Sequence, residues 1–476
     1  MKKILILTAC FLFSFSILHG QELIPTQELL LSYLENDIEL QKLTLSAQKA
    51  QLSEESVKID NGFDISLSSG TVTIKTDKTG TKISAKPKAE IDVIPAGKLV
   101  LKGETNLTQS STEKTSSETK LSDTTISASI DIISDKNSSR KVSLMKAERS
   151  RMEAERAVKT RAIAAEKEFY TELKNLLNSI NSIIKSQSSL YSDTINFEQT
   201  KAKGYSTSSS TYRLAQMKVV SDTHSVNSGI KDFINDYIVF YKKCGFDIQI
   251  SEETDFMTLV PSDIQDVAPL NAETFNKEDY TKLESANWNH TINSIERKAK
   301  RNFSLSANGG YTIDNSTTKS DTVNAGLSGT YRGLTLGAGV ELPVGVKDSN
   351  PVFSVSASIS LNSFRKASIT TKTNELTEEQ ELLDIQSAET SYITYLITAK
   401  QNLEQLLWEQ NTTMESYDMY EELEKDLAAW YKNGVISESE YLSAKTNYNQ
   451  YKVQTIINKI NLLIYNDEVK SNFVQK

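Results

Sequence analysis

The segment Tyr431-Lys432-Asn433-Gly434-Val435-Ile436-Ser437-Glu438-Ser439-Glu440-Tyr441-Leu442-Ser443-Ala444 holds the only glycine after Gly345. Neither glycine nor proline lies between Pro351 and Gly434, and no proline follows Pro351. Breaker-free stretches rich in Glu, Lys, Ala, Leu and Gln are expected of long helices, so a lone glycine between two of them reads as a sharp turn. Gly434 supplies the left-handed turn and Val435 and Ile436 pack it. Ser437 caps the returning helix, and Glu440 favours that helix's first turn.

Working outward, the flanking stretches have helical period. Tyr392, Leu396, Ala399, Leu403 and Leu406 step by four and three, followed by Gln410, Thr413, Tyr417 and Tyr420. In the first half Phe169, Leu176, Ile183, Leu190 and Phe197 recur every seven residues. Tyr170, Leu177, Ile184 and Tyr191 run parallel, with Leu173 and Ile180 between. This is coiled-coil spacing. Doubled stripes suit helices with a neighbour on either side, as in a ring or bundle; a plain coiled coil is the other reading.

Of 18 glycines, 13 lie in the windows Gly62–Gly103 and Gly309–Gly345. The period there is two. Phe303, Leu305, Ala307, Gly309, Tyr311 and Ile313 alternate with polar or small residues. So do the runs Val323–Tyr331, Leu334–Leu342 and Phe353–Leu361. Weaker echoes occur at Phe63–Leu67, Ile83–Val93, Leu99–Leu107 and Ile126–Ile132. Each run is about as long as a membrane-spanning strand, roughly 9–11 residues, and Phe303, Tyr311, Tyr331 and Phe353 fit an interfacial girdle. A soluble sheet with one wet face alternates in the same way.

The order helix, strands, long helix, glycine, helix occurs twice. Ser127-Ala128-Ser129-Ile130 matches Ser356-Ala357-Ser358-Ile359, Gly204 matches Gly434, and Phe63-x-Ile65-Ser66-Leu67 matches Phe303-x-Leu305-Ser306-Ala307. This is a tandem duplication. Repeat 1 is expected over 21–247, with a helix at 27–60, strands at 62–133, a long helix at 134–203 and a return helix at 205–245. A linker, 248–270, holds Pro261 and Pro269. Repeat 2 covers 271–476, with a helix at 272–301, strands at 303–361, a long helix at 364–433 and a return helix at 435–470. A 70-residue helix is ~105 Å long at 1.5 Å per residue, and the two shorter helices of each repeat together nearly equal the long one. Each repeat can therefore form an antiparallel pair, one partner continuous and one broken.

Composition narrows the function. The chain has 476 residues, 53 Lys+Arg against 62 Asp+Glu, and a net charge of -9, which argues against a nucleic-acid groove. Hydrophobic content of 38 % is low for one large globular core. Met1-Lys2-Lys3 before the apolar run Ile4–Leu18 reads as a signal peptide over residues 1–20. A lipobox-like Leu7-Thr8-Ala9-Cys10 is the alternative, with Cys10 lipidated. No later stretch reaches the roughly 18 apolar residues of a membrane helix, which leaves a closed barrel as the spanning architecture.

The chain resembles the TolC-like outer membrane efflux proteins over essentially its whole mature length. The sharpest match is the Gly434 turn with its following Ser, acid and Ala. The first-repeat copy, Lys203-Gly204-Tyr205-Ser206-Thr207-Ser208-Ser209-Ser210-Thr211-Tyr212-Arg213-Leu214-Ala215, is looser, with its alanine one place late and no acid. The resemblance implies a mainly α fold with β: long antiparallel helical hairpins forming an α-barrel, and strands forming a transmembrane β-barrel completed by trimerisation. It implies an outer membrane duct of a tripartite efflux or type I secretion system, a passive conduit for small molecules or proteins, gated at the periplasmic tip. The implied partners are two further copies of the chain, outer membrane lipid, a periplasmic adaptor and, indirectly, an inner-membrane transporter. Adaptor contact falls to Gly204, Tyr205, Gly434, Val435, Ile436 and Ser437. The family's aperture acids fall on Glu440 and Ser443, so only the first is present; Arg213 is the expected partner of Glu440 across neighbouring hairpins. The usual member has two spanning strands per repeat, whereas four alternating segments are visible here. Either the middle pair is an extracellular or lengthened hairpin, or the barrel is larger.

Other chemistry finds little support. His224 and His290 have no partner at metal-ligand spacing. Gly309-Gly310 and Gly337-x-Gly339 lack the Lys-Ser/Thr of a phosphate loop. Cys244 has no catalytic context, and Trp408 and Trp430 read as packing or tip-contact residues. Neither an enzyme nor a cofactor is expected. A soluble periplasmic adaptor or coiled-coil structural protein is the rival reading; a porin lacks the long helices.

Overall fold

The computed structural model describes residues 24–475 except 78–79, 97, 113–114, 135, 301–302, 316–319 and 346–349. The expected signal segment and Cys10 lie outside the described residues. Seven helices are described: α1 (Thr26–Glu35), α2 (Ile38–Asp60), α3 (Lys136–Ala202), α4 (Ser210–Lys243), α5 (Thr281–Ala299), α6 (Leu361–Lys432) and α7 (Glu438–Ser471). Ten described strands form one antiparallel sheet: β1 (Phe63–Ser68), β2 (Thr73–Asp77), β3 (Gly80–Ala85), β4 (Lys88–Val93), β5 (Leu99–Thr112), β6 (Thr115–Ile133), β7 (Phe303–Ile313), β8 (Asp321–Tyr331), β9 (Leu334–Val344) and β10 (Val352–Ile359). The mixed architecture of long helical hairpins and antiparallel strands is the one expected.

Three details differ from the sequence reading. The helix expected over 27–60 is two, because Asn36 and Asp37 interrupt it. Asn36 turns its side-chain amide back onto the Ser32 carbonyl at 3.0 Å, the local bonding that makes Asn a poor interior helix residue. The helix expected from 272 starts only at Thr281. Asn271 and Asn276 each accept a backbone N–H two residues ahead, from Glu273 and Glu278, and hold the stretch in short 3₁₀ turns. Consequently α1, α2 and α4, with 10, 23 and 34 residues, match the 67 of α3, while α5 and α7, with 19 and 34, fall short of the 72 of α6.

The strand count is the third. The first half carries six strands rather than four. Lys86-Pro87 splits the segment read as Ile83–Val93, since proline cannot donate to a ladder. β2, a Thr/Lys strand, has no apolar alternation to reveal it. β4 pairs with the inner part of β5 (Val93↔Leu99) and β3 with its outer part (Ala85↔Leu107).

The main path of the sheet is β1-β4-β5-β6-β7-β8-β9-β10, and the two halves of the chain join at β6–β7. Cross-strand partners share a face. One row runs Ile65, Ile91, Leu101, Ala128, Gly309, Ala325, Val340, Phe353. The adjacent row, on the opposite face, runs Ser66, Glu90, Lys102, Ser127, Gly310, Asn324, Glu341, Val352. One side of an eight-strand surface is therefore apolar and the other mainly polar. Arg332 and Gly333, both with positive φ, close the β8–β9 hairpin in two residues, the turn whose twist matches flanking strands.

Two compact units cut across the duplication, each drawing segments from both halves. The first comprises residues up to Asp37, Ala164–Leu270 and Asn402–Asp467. Its core joins Phe169, Leu177 and Ile180 of α3 to Phe233 and Phe240 of α4, Phe256, and Ile460 of α7. The heptad stripe Phe169–Leu176–Ile183 is buried there, as its period demands. Cys244 is fully buried, and burial pushes its thiol up to about 12.

The second unit comprises Ile38–Ile163, Asn271–Gln401 and the residues from Glu468 onward. It contains the sheet and is tied by buried charge pairs. Glu54 of α2 accepts from Arg151 of α3 at 2.6 Å. Arg149 of α3 forks onto Glu284 of α5, which Arg156 also reaches at 3.0 Å. Glu381 of α6 accepts from both terminal nitrogens of Arg297 at 2.7 and 2.8 Å and from Asn293 at 2.9 Å, with His290 Nδ1 at 3.1 Å. These bonds hold the Glu381 carboxyl down to about 2, Arg297 being the largest cause. His290 is thus a structural partner, and His224 is exposed on α4. In the threonine-rich start of α6, Thr370, Thr371, Thr373 and Thr377 each donate a hydroxyl to the carbonyl four residues back, so their side chains are satisfied within the helix.

Candidate functional site

The α6–α7 turn is built by its own residues. Gly434 has φ 72°, its N–H donates to Tyr431 O, and Val435 N–H donates to Trp430 O at 2.9 Å, closing the helix end with the paired bonds of a Schellman motif. Only glycine takes that backbone conformation without strain. Ser437 is the N-cap of α7. Glu440 N–H donates to Ser437 Oγ at 3.3 Å, and the Glu440 carboxylate accepts from Ser437 N–H and Oγ–H at 2.9 Å each. This is a capping box. The backbone N–H and hydroxyl of Ser437 hold the Glu440 carboxyl below the usual range.

The packing expected of the turn is only half present. Ile436 is half-buried, but Val435 is 70 % exposed. The turn is closed instead by a stack of Tyr431 on Tyr441, centroids 5.2 Å apart and 6° from parallel. Tyr420 on Tyr451 and Tyr417 on Tyr448 repeat the contact along the hairpin.

The α3–α4 turn shares the glycine and lacks the box. Gly204 has φ 73° and Ser209 caps α4 by accepting from Tyr212 N–H at 3.3 Å, but position three of that helix is Tyr212, with no acid to reach back. Phe197 meets Tyr212 edge to face across the turn, and Tyr205 is exposed. Arg213 Nε donates to Thr207 O at 3.4 Å. Within the chain, Arg213 and Glu440 are therefore each engaged at their own turn, and the expected pairing of the two is not made; each turn offers a nearer partner.

Between α3, α7 and the Thr254–Met257 segment lies a cleft of about 460 Å³ rimmed by Ser188, Ser192, Ser439, Ser443 and Thr446. Hydroxyls dominate its rim, with Asp255 and Lys445 as its charged residues, and no histidine or cysteine lines it. Among the described residues no cluster of His, Cys, Asp and Glu could hold a metal, and no helix is long and apolar enough to cross a membrane.

The apolar side of the sheet is the other feature of note. Leu67, Val355 and Phe353 are 75 % exposed or more, and Ile65, Ile126 and Leu336 on the same side are exposed as well. Its outer strands β1 and β10 each have one free edge.

Two family models divide this chain. The TP096X N-terminal domain matches residues 29–264 and the TP096X C-terminal domain matches 265–476. The chain belongs to the TP096X family. In this TP096X chain the boundary between the domains falls between Pro261 and Pro269. No curated protein matches it in sequence. Among solved structures, the TP096X chain is similar to CusC, at 10% identity over 94% of this chain and 92% of that one, TM-score 0.49. It is similar to the open state of the Neisseria gonorrhoeae MtrE outer membrane channel, at 13% identity over 94% and 88%, TM-score 0.46. It is also similar to the Campylobacter jejuni CmeC outer membrane channel, at 14% identity over 95% and 86%, TM-score 0.42.

Proposed function

We propose that this protein is an outer membrane export duct. Three copies close their sheets into one barrel in the outer membrane, and their helices continue as a conduit through the periplasm. The duct passes small molecules or proteins without catalysing a reaction. The observation that carries this reading is the uncovered apolar side of the eight-strand path, with free edges at β1 and β10. In water that side would cost about 25 cal/mol for each Å² left exposed; in a bilayer it faces solvent of its own kind. The free edges cannot remain open in lipid, where every backbone group needs a partner, and copies of the same sheet supply those partners.

The exposed turns at Gly204-Tyr205 and at Gly434-Val435-Ile436-Ser437 are the surfaces proposed to meet a periplasmic adaptor, which would link the duct to an inner-membrane transporter. Glu440 is proposed to line the aperture, three copies forming an acidic ring that favours cations. Arg213 is proposed to reach Glu440 only between neighbouring copies. Gly434→Pro combined with Val435→Asp tests the turn: export and adaptor cross-linking should be lost while the protein still reaches the membrane. If both persist, the turn is not the docking surface.

A further inference from the structure

On α2, Ile38, Leu45, Leu52 and Ile59 stand seven residues apart and all face outward; on α6, Ile369, Leu376 and Leu383 do the same. Every one of these side chains is at least 58 % exposed. A single exposed leucine needs no explanation, but a strict heptad of them is the seam of a helix pair whose partner is missing. The opposite side of each helix is already used: Glu54 of α2 is buried against Arg151, and Glu381 of α6 against Arg297.

We propose that the α2 stripe seats on the α6 stripe of a second copy of this chain, in one register: Ile38 opposite Leu383, Leu45 opposite Leu376, Leu52 opposite Ile369. Chain direction and distance from the sheet fix that register. α2 ends at Asp60 and leads into β1, while α6 starts at Leu361 directly after β10. The two ends of the main strand path thus belong to the strands attached to the two stripes, while β2, off that path, pairs only with β3. Setting β1 of one copy antiparallel to β10 of the next brings α2 beside α6, also antiparallel. Counted away from the sheet, the two heptads fall level.

Charge follows the same register. Lys42 of α2 comes level with Glu379 of α6, and Glu55 with Lys366; all four are exposed. Lys49 comes level with Lys372, and Glu375, one turn further from the sheet, lies within its reach. Among the described residues Lys42 has a loose pair with Glu39 at 3.8 Å. The strand edges agree: Phe63 opposite Ile359 keeps apolar residues on one side, and a slip by one residue would turn every side chain over.

The inference rests on the assembled-barrel reading above, and the test separates the two. Leu45→Cys and Leu376→Cys are placed in one chain, and the purified detergent-extracted protein is treated with a mild oxidant. Covalent dimers and trimers on a non-reducing denaturing gel are expected. Leu45→Cys with Leu383→Cys, displaced one heptad or about 10 Å along the helix, should give less than a tenth of that yield. An intact assembly in which neither pair links, or both link equally, overturns the proposed register. If the unaltered protein is not an assembly of copies, the barrel reading fails first and this inference with it. A second arm needs no disulfide. Lys42→Glu should lower the temperature at which the assembly dissociates, and adding Glu379→Lys to the same chain should restore most of the loss. No restoration contradicts the pairing.

Discussion

Glu440 and Ser437 satisfy one another at the start of α7, each side chain accepting the other's backbone N–H. The box fixes where the return helix begins, and with it the angle at which Tyr441 meets Tyr431. Ser437→Ala should cost about 1 kcal/mol of local stability and quicken amide exchange in the first turn of α7, without changing exchange at the α3–α4 turn. Equal quickening at both turns would show that the cap is not what holds this end.

Gly434→Ala places a Cβ on a left-handed backbone. Nothing lies within 4 Å of that Cβ, so the cost is conformational, about 1–2 kcal/mol, and not steric. Gly434→Asn should recover part of it, since Asn tolerates the left-handed region. Thermal melts of the three forms check the order Gly, Asn, Ala.

The apolar and polar sides of the sheet predict opposite responses to charge. Val355→Arg puts a cation on the apolar side of β10 and should cost about 2–4 kcal/mol if that side faces the middle of a bilayer. Ser356→Arg, one residue on, points to the other side and should cost far less. Yield of folded protein in lipid vesicles measures the difference.

Acid should loosen the second unit. Glu381 is held down to about 2 by Arg297, so its carboxylate stabilises the fold above its ordinary value of 4.5. That contribution is lost as pH falls from about 4.5 towards 2. Glu381→Gln removes the pH dependence of this step and costs about 1–3 kcal/mol at neutral pH, because the half-buried Arg297 is left without its counter-charge. Unfolding midpoints at pH 7 and pH 3 for both proteins check it.

Much of this architecture is written in local pattern. Gly204 and Gly434 stand alone between breaker-free stretches, so both turns were legible, as was the buried Phe169–Leu176–Ile183 stripe. What was hidden had a competing local interaction or no hydrophobic signal. Asn36, Asn271 and Asn276 stop or delay helices through their own side-chain bonds. β2, with Ile74 as its one apolar residue, is visible only through pairing with β3. The tyrosine stacks join residues 10 and 31 apart in sequence (Tyr431 with Tyr441, Tyr420 with Tyr451) and need the hairpin register to be seen. The α2 stripe was in the sequence as a heptad, but only its exposure distinguishes a missing partner from a core.

The most direct measurement is the composition of the particle extracted from membranes. The account predicts that the protein needs detergent and runs in native mass spectrometry as three chains, and that in a planar bilayer this particle passes current. A protein that fractionates with the soluble contents as a single chain, and passes none, would contradict it.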